Sequence, residues 1–174
     1  MIRSGQRILL VGEERKYFLK AGNGTFSTDR GIINLDEIVG AESGDVIQSH
    51  NGSEFVILLP RAPDFFEYAK RSGAPMLPKD IGLVIAYTGM NRNDRVLDSG
   101  TGTGIAAIFF GGIARDVTTC EVRPDFARIA EANIKDACLD NVEVVTSDIL
   151  GIQGLFDIVH LDMTIAPDHI RHAH

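Results

Sequence analysis

The stretch DRVLDSGTGTG, residues 94–104, decides the reading of this 174-residue chain. A short apolar run ends in Asp98, and three glycines then follow at alternate positions, Gly100, Gly102 and Gly104. Glycines allow the backbone to turn tightly through positive φ and to approach a ligand with no Cβ in the way, while the helix that follows presents free N–H groups. A glycine-rich turn is a weak sign by itself. A dinucleotide turn asks for G-x-G-x-x-G, and here the third glycine comes one residue early while an acid precedes the first by two.

Downstream, strand and helix alternate. The pattern predicts strands at 95–98, 116–121, 142–146 and 157–161 and helices at 104–111 and 125–137, which implies a parallel sheet with right-handed crossovers. The near-continuous apolar runs VVTS and IVHL fit strands covered on both faces. Four acids then fall at four strand ends: Asp98, Glu121, Asp148 and Asp162. Open α/β sheets bind ligands at those carboxyl ends. Each acid alone also has a plainer reading: Asp98 and Asp148 as caps of the turn that follows, Glu121 as a solvated charge, Asp162 as a turn former.

Upstream the character changes. Residues 1–60 predict short strands at 6–11, 16–19, 31–34, 45–48 and 54–59, the pattern of a small β-barrel-like or meander domain with no visible chemistry. Residues 61–93 read as a helical connector, with one short helix carrying Phe65, Phe66, Tyr68 and Ala69 and another beginning at Pro78. Residues 94–174 complete the α/β part. The net charge of −7 is uneven: residues 1–93 hold 11 basic and 11 acidic side chains, and residues 94–174 hold 6 and 13. A polyanion is therefore expected at the basic cluster Arg61, Lys70, Arg71 and Lys79 rather than on the acidic half.

With 44% hydrophobic and 24% charged residues, the composition is that of a soluble globular chain. No window reaches the length of a membrane span and the N-terminus lacks a signal peptide, so a cytoplasmic address is expected. Cys120 and Cys138 are too few for a disulfide framework or a zinc site and read as buried, reduced side chains. The histidines at 169, 172 and 174 read as a disordered terminus rather than a metal site, and no metal is expected. His50 and His160 stand isolated, one in a turn and one in an apolar strand.

The D-x-G-x-G-x-G form resembles the first motif of class I S-adenosylmethionine-dependent methyltransferases. Together with FEYAKRSGAPMLPKDIGLVI upstream and CEVRPDFARIAEAN downstream, the chain looks like the tRNA (adenine-N1)-methyltransferase family of the adenine-58 type. That resemblance implies a Rossmann-like parallel sheet behind a small N-terminal β-domain, with S-adenosylmethionine as cofactor and tRNA as partner. It makes Asp98, Ser99, Gly100, Thr101, Gly102, Thr103 and Gly104 cofactor contacts, with Glu121 at the ribose, Asp148 at the adenine, and Val122 and Ser147 as further cofactor contacts. Asp162 becomes the catalytic candidate that holds the target adenine, and Lys70, Arg71 and Lys79 become substrate contacts. The chain departs from the family at Ala74, where a Gln is usual, and at Leu77, where an aromatic is usual.

Family members also continue well beyond the fourth strand. A sheet ending there is expected to expose unpaired edge groups, covered by residues 163–174 or by another subunit, and a homo-oligomer is the expectation. The resemblance implies direct methyl transfer to adenine N1, with Asp162 receiving the exocyclic amine. Two alternatives stand beside it: a truncated, catalytically inactive binding module of the same descent, and a methyltransferase acting on a small molecule or a protein carboxylate.

Overall fold

The continuous apolar run in Arg7–Val11 buries Ile8, Leu9 and Leu10 almost completely, so this strand, β1, is covered on both faces and organises the N-terminal part of the molecule. The computed structural model describes residues 1–71 and 73–173. It divides into two units, Met1–Arg61 and Ala62–His174. In the first, β1 pairs antiparallel with β2 (Lys16–Lys20) and β6 (Glu54–Leu58), and β6 pairs with β5 (Val46–Gln48). A separate hairpin joins β3 (Thr25–Thr28) to β4 (Gly31–Asn34). Ile8, Leu10, Ile33, Ile38, Phe55 and Ile57 fill the core between them.

The second unit begins with two helices, α1 (Ala62–Tyr68) and α2 (Pro78–Thr88). Proline at the first position of α2 needs no hydrogen-bond partner for its nitrogen, and Gly89 at φ 67° ends the helix in the left-handed region. Both helices pack against α3 (Ile105–Gly111), so the stretch read as a connector belongs to this compact unit.

The sheet of this unit is parallel, in the order β10–β7–β8–β9. Its strands are β7 (Arg95–Ser99), β8 (Asp116–Cys120), β9 (Val142–Val145) and β10 (Ile158–Leu161). Helix α4 (Pro124–Asp136) crosses between β8 and β9, turning Ala127, Ala130, Asn133 and Ile134 inward at helical spacing. β7 lies in the middle and is buried at four of five positions, whereas β9 at one side has no fully buried residue. On one face Leu97 and Cys120 pack with Ile149 and Ile152, and on the other the ring of Phe110 meets His160 at 5.3 Å.

Two expectations are corrected. Cys138 is exposed, because it follows the C-terminus of α4 in a left-handed conformation at φ 56° that carries its side chain away from the core. The segment Pro167–Ala173, expected to be disordered, forms a short helix, α5, packed on the 3-10 turn Ile149–Gly151. The side chain of His172 and the whole of His174 lie outside the described residues. No helix among the described residues is long and apolar enough to cross a membrane.

Candidate functional site

The parallel register brings the carboxyl ends of all four strands to one side of the sheet. Ser99 stands opposite Cys120 and Leu161, so the chain leaves β7, β8 and β10 at the same level. The glycine turn starts there. Gly100, Gly102 and Gly104 have φ of 95°, 56° and 80°. At Gly100 glycine is compulsory: a Cβ would stand 2.2 Å from the carbonyl oxygen of Asp162. At Gly102 a Cβ would meet nothing nearer than 3.8 Å, so this side of the turn faces open space. The Thr103 hydroxyl beside it is buried without a hydrogen-bond partner.

Two clefts meet at this turn, of about 460 and 390 Å³. The larger is walled by Ser99, Glu121, Val122, Ser147 and Asp148, and by Met163 and His169. The smaller runs from Thr101, Gly102 and Thr103 to Phe126 and to Gly73–Met76. Gly100, Arg123 and Asp162 line both.

The four acids occupy unlike environments. Asp98 is 1% exposed and lines neither cleft. Its Oδ2 accepts from the Thr119 hydroxyl at 2.6 Å, which lies 2.6 Å from the Thr101 hydroxyl, and its Oδ1 is 2.7 Å from Nδ1 of His160. Period-2 alternation explains the orientation: Asp98 shares with Val96 a side-chain direction opposite to that of Leu97, and the register sets it beside Thr119 and His160. Burial lowers the affinity of His160 for a proton, but the hydrogen bond and charge of Asp98, with the charge of Asp162, outweigh it and hold the imidazole above its usual pKa.

Glu121 is 3% exposed yet reaches the larger cleft. Its Oε1 accepts from the Arg123 backbone N–H at 3.1 Å and from Arg123 Nε at 2.9 Å. Its Oε2 accepts from the Gly102 N–H at 3.0 Å and from Arg123 Nη2 at 3.2 Å. Burial pushes this carboxyl up, and the hydrogen bonds and charge of Arg123 with the Gly102 N–H together bring it below its usual range. The Arg123 guanidinium lies 3.5 Å from the centroid of the Phe126 ring. Burial, as the largest influence, pushes the Cys120 thiol up, which keeps it a poor nucleophile.

Asp148 and Asp162 are exposed. Asp148 caps the turn after β9 by accepting from Leu150 N at 2.9 Å, and His169 Nε2 lies 3.8 Å from it. Asp162 continues β10, its backbone N–H bonded to Ser99 O at 2.9 Å. Ser99 donates to Met163 Sδ at 2.9 Å and is thereby drawn into the seam between β7 and β10.

The basic residues do not converge on the clefts. Arg71 donates to the carbonyls of Phe66 and Glu67 at the end of α1, Lys79 lies 2.7 Å from Asp80, and neither they nor Lys70 lines either cleft. The Lys70 carbonyl, however, accepts from Asn133 Nδ2 at 3.0 Å, and the same amide donates to Thr103 O at 2.9 Å. Arg123, Phe126, Asn133 and Met163 were not singled out in the sequence, and His169, read there only as part of a disordered terminus, lines the larger cleft. For Arg123 there was a signal: its position two residues after a strand-end acid.

The Protein-L-isoaspartate(D-aspartate) O-methyltransferase (PCMT) family model matches residues 67–170. The tRNA (adenine(57)-N(1)/adenine(58)-N(1))-methyltransferase TrmI of Methanocaldococcus jannaschii is 35% identical over 130 residues, which cover 72% of this chain and 45% of that protein. A SAM-dependent O-methyltransferase structure from Thermotoga maritima matches 98% of this chain and 67% of its own with a TM-score of 0.84 and 26% identity. The tRNA (m1A58) methyltransferase TrmI of Aquifex aeolicus matches 93% of this chain and 66% of its own with a TM-score of 0.74 and 25% identity. The chain spans about half the length of the curated relatives it matches.

Proposed function

The chain belongs to the protein-L-isoaspartate(D-aspartate) O-methyltransferase family of S-adenosylmethionine-dependent methyltransferases, and from that premise we propose that it methylates N1 of adenine in tRNA. The family model covers the part of the chain that carries the glycine turn and the strand-end acids. The choice of acceptor rests on the relatives named for tRNA, whose matches include one to 99% of this chain, a catalytic subunit from Dictyostelium discoideum at 25% identity.

The residues suit S-adenosylmethionine. Gly102 leaves open space, the Thr103 hydroxyl is a buried polar atom awaiting a partner, and the acids at the clefts favour a positively charged sulfonium. In this reading Glu121 holds the ribose diol, Asp148 with Ser147 and Val122 flanks the adenine, and Ser99 to Gly104 cradle the amino-acid end. The bound cofactor supplies an electrophilic methyl group. Asp98 acts from behind the turn, through Thr119 and Thr101, and touches no ligand.

One observation carries the proposal: Asp162 is an exposed carboxylate at the junction of the two clefts, reachable from both. There it accepts from the exocyclic amine of an adenine and offsets the positive charge that grows on the ring as N1 is alkylated. Lys70, Arg71 and Lys79, which line neither cleft, then serve the phosphate backbone away from the reacting base. A cytoplasmic address and a homo-oligomeric assembly belong to the same proposal.

Tritiated methyl transfer to an unmodified tRNA transcript, with an isoaspartyl peptide as the competing acceptor, tests it. Label on N1 of adenine supports the reading. Label on the peptide carboxyl alone assigns the chain an O-methyl acceptor instead, and cofactor binding with no transfer leaves a binding module.

A further inference from the structure

An ionised carboxylate has about four acceptor positions, two on each oxygen. Those of Glu121 are all taken. One position on each oxygen is held by a backbone N–H, from Arg123 on Oε1 and Gly102 on Oε2. The other position on each oxygen is held by the Arg123 side chain, through Nε on Oε1 and Nη2 on Oε2. The backbone donors are fixed by the start of α4, where Arg123 is the N-cap, and by the glycine turn, and only the side-chain donors can leave. A planar guanidinium presenting two N–H groups to two carboxylate oxygens offers the same pattern as a vicinal diol presenting two O–H groups.

We propose that the Arg123 side chain is a resident competitor for the diol position on Glu121, and that a ribose-bearing ligand binds by ejecting it. This rests on the reading of Glu121 as the diol carboxylate. Two features make the exchange feasible. The guanidinium already lies on the Phe126 ring at 3.5 Å, a second resting place that does not need the carboxylate. Its side chain is 54% exposed and lines the neighbouring cleft as well, so it moves through solvent-facing space without opening the core. Ejection turns a neutralised pair into a free cation beside Asp162 and Gly73–Met76, on the wall of the smaller cleft. Ligands with both hydroxyls replace both lost hydrogen bonds. A ligand lacking them leaves buried acceptor positions empty and is rejected.

The test is calorimetric titration with S-adenosylhomocysteine, and with its 2′,3′-dideoxy analogue, of the wild type, Arg123→Met and Arg123→Lys. Met keeps the apolar stem over Phe126 and removes the competing donors. The expected result is about tenfold tighter binding of S-adenosylhomocysteine by Arg123→Met, an intermediate gain for Arg123→Lys, and no gain for the dideoxy analogue. Unchanged or weaker binding by Arg123→Met while the wild type binds overturns the competitor and leaves the cofactor reading standing. An equal gain for the dideoxy analogue also overturns it. Failure of every variant to bind removes the cofactor reading and the competitor together. Should Arg123→Met not fold, the Arg123 Nε–H resonance of the wild type, assigned by its loss in Arg123→Lys, decides: it must shift at ligand saturation, and a signal that stays in place overturns the proposal.

Discussion

The two inner strands of the parallel sheet and its two outer strands treat the same residue type in opposite ways. β7 and β8 end in acids that are almost wholly buried and hydrogen-bonded to the protein itself, whereas β9 and β10 lead into Asp148 and Asp162, which stand in solvent. An inner strand has neighbours on both sides, so a carboxylate at its end finds donors on the flanking strand or turn. An outer strand has one neighbour, and the carboxylates that follow β9 and β10 stay exposed. The lesson is that four acids near strand ends separate into two buried among the protein's own donors and two left exposed beside the clefts.

Breaking the inner pair should cost most. Asp98→Ala removes the shared acceptor of His160 and Thr119 and is expected to lower stability by about 3–5 kcal/mol, read from urea denaturation. A loss under about 1 kcal/mol would abolish the distinction between inner and outer acids. Asp162→Ala should do the reverse, reducing methyl transfer by about a hundredfold or more while leaving S-adenosylhomocysteine affinity and the melting temperature near wild type. Unchanged turnover removes Asp162 from the mechanism.

Acidity sharpens the comparison further. Since the folded pKa of His160 is raised, its pairing with Asp98 stabilises fully below the unfolded value of about 6.5 and loses that contribution as pH rises through the folded value. The urea midpoint of the wild type, relative to His160→Gln, should therefore fall on the alkaline side, and a difference constant with pH would contradict the pairing. The smallest effect belongs to the outer strand. Asp148→Ala loses one turn cap and should cost about 1 kcal/mol of stability.

The spacing of Asp98, Glu121, Asp148 and Asp162 was legible because each acid closes an apolar run, and a parallel sheet brings such ends together. The direction of each side chain was not. That Asp98 turns inward follows from register with His160 and Thr119, residues 62 and 21 positions away, and no local pattern states a register. The plain reading of Asp148 as a turn cap describes what its side chain does here, while that reading of Asp98 does not. β3 was missed because Thr25–Thr28 offers one apolar residue, Phe26, whose burial depends on Tyr17 of another strand. The basic cluster was sound as composition, yet Arg71 is spent on helix carbonyls and Lys79 on its neighbour, contacts that a count of charges does not foresee.

Asn133 lines neither cleft, yet its one amide nitrogen reaches both the carbonyl before the 73–76 wall and the carbonyl inside the glycine turn. A primary amide has two hydrogens on a rigid plane, and it acts here as a gauge block that fixes how far those two rims stand apart. The aperture of the smaller cleft is thus written in the length of a side chain on the far side of its wall. A glutamine there would push the rims apart by about one bond length and a serine would let them collapse, so substrate size could drift in evolution without any change in the residues that meet the substrate.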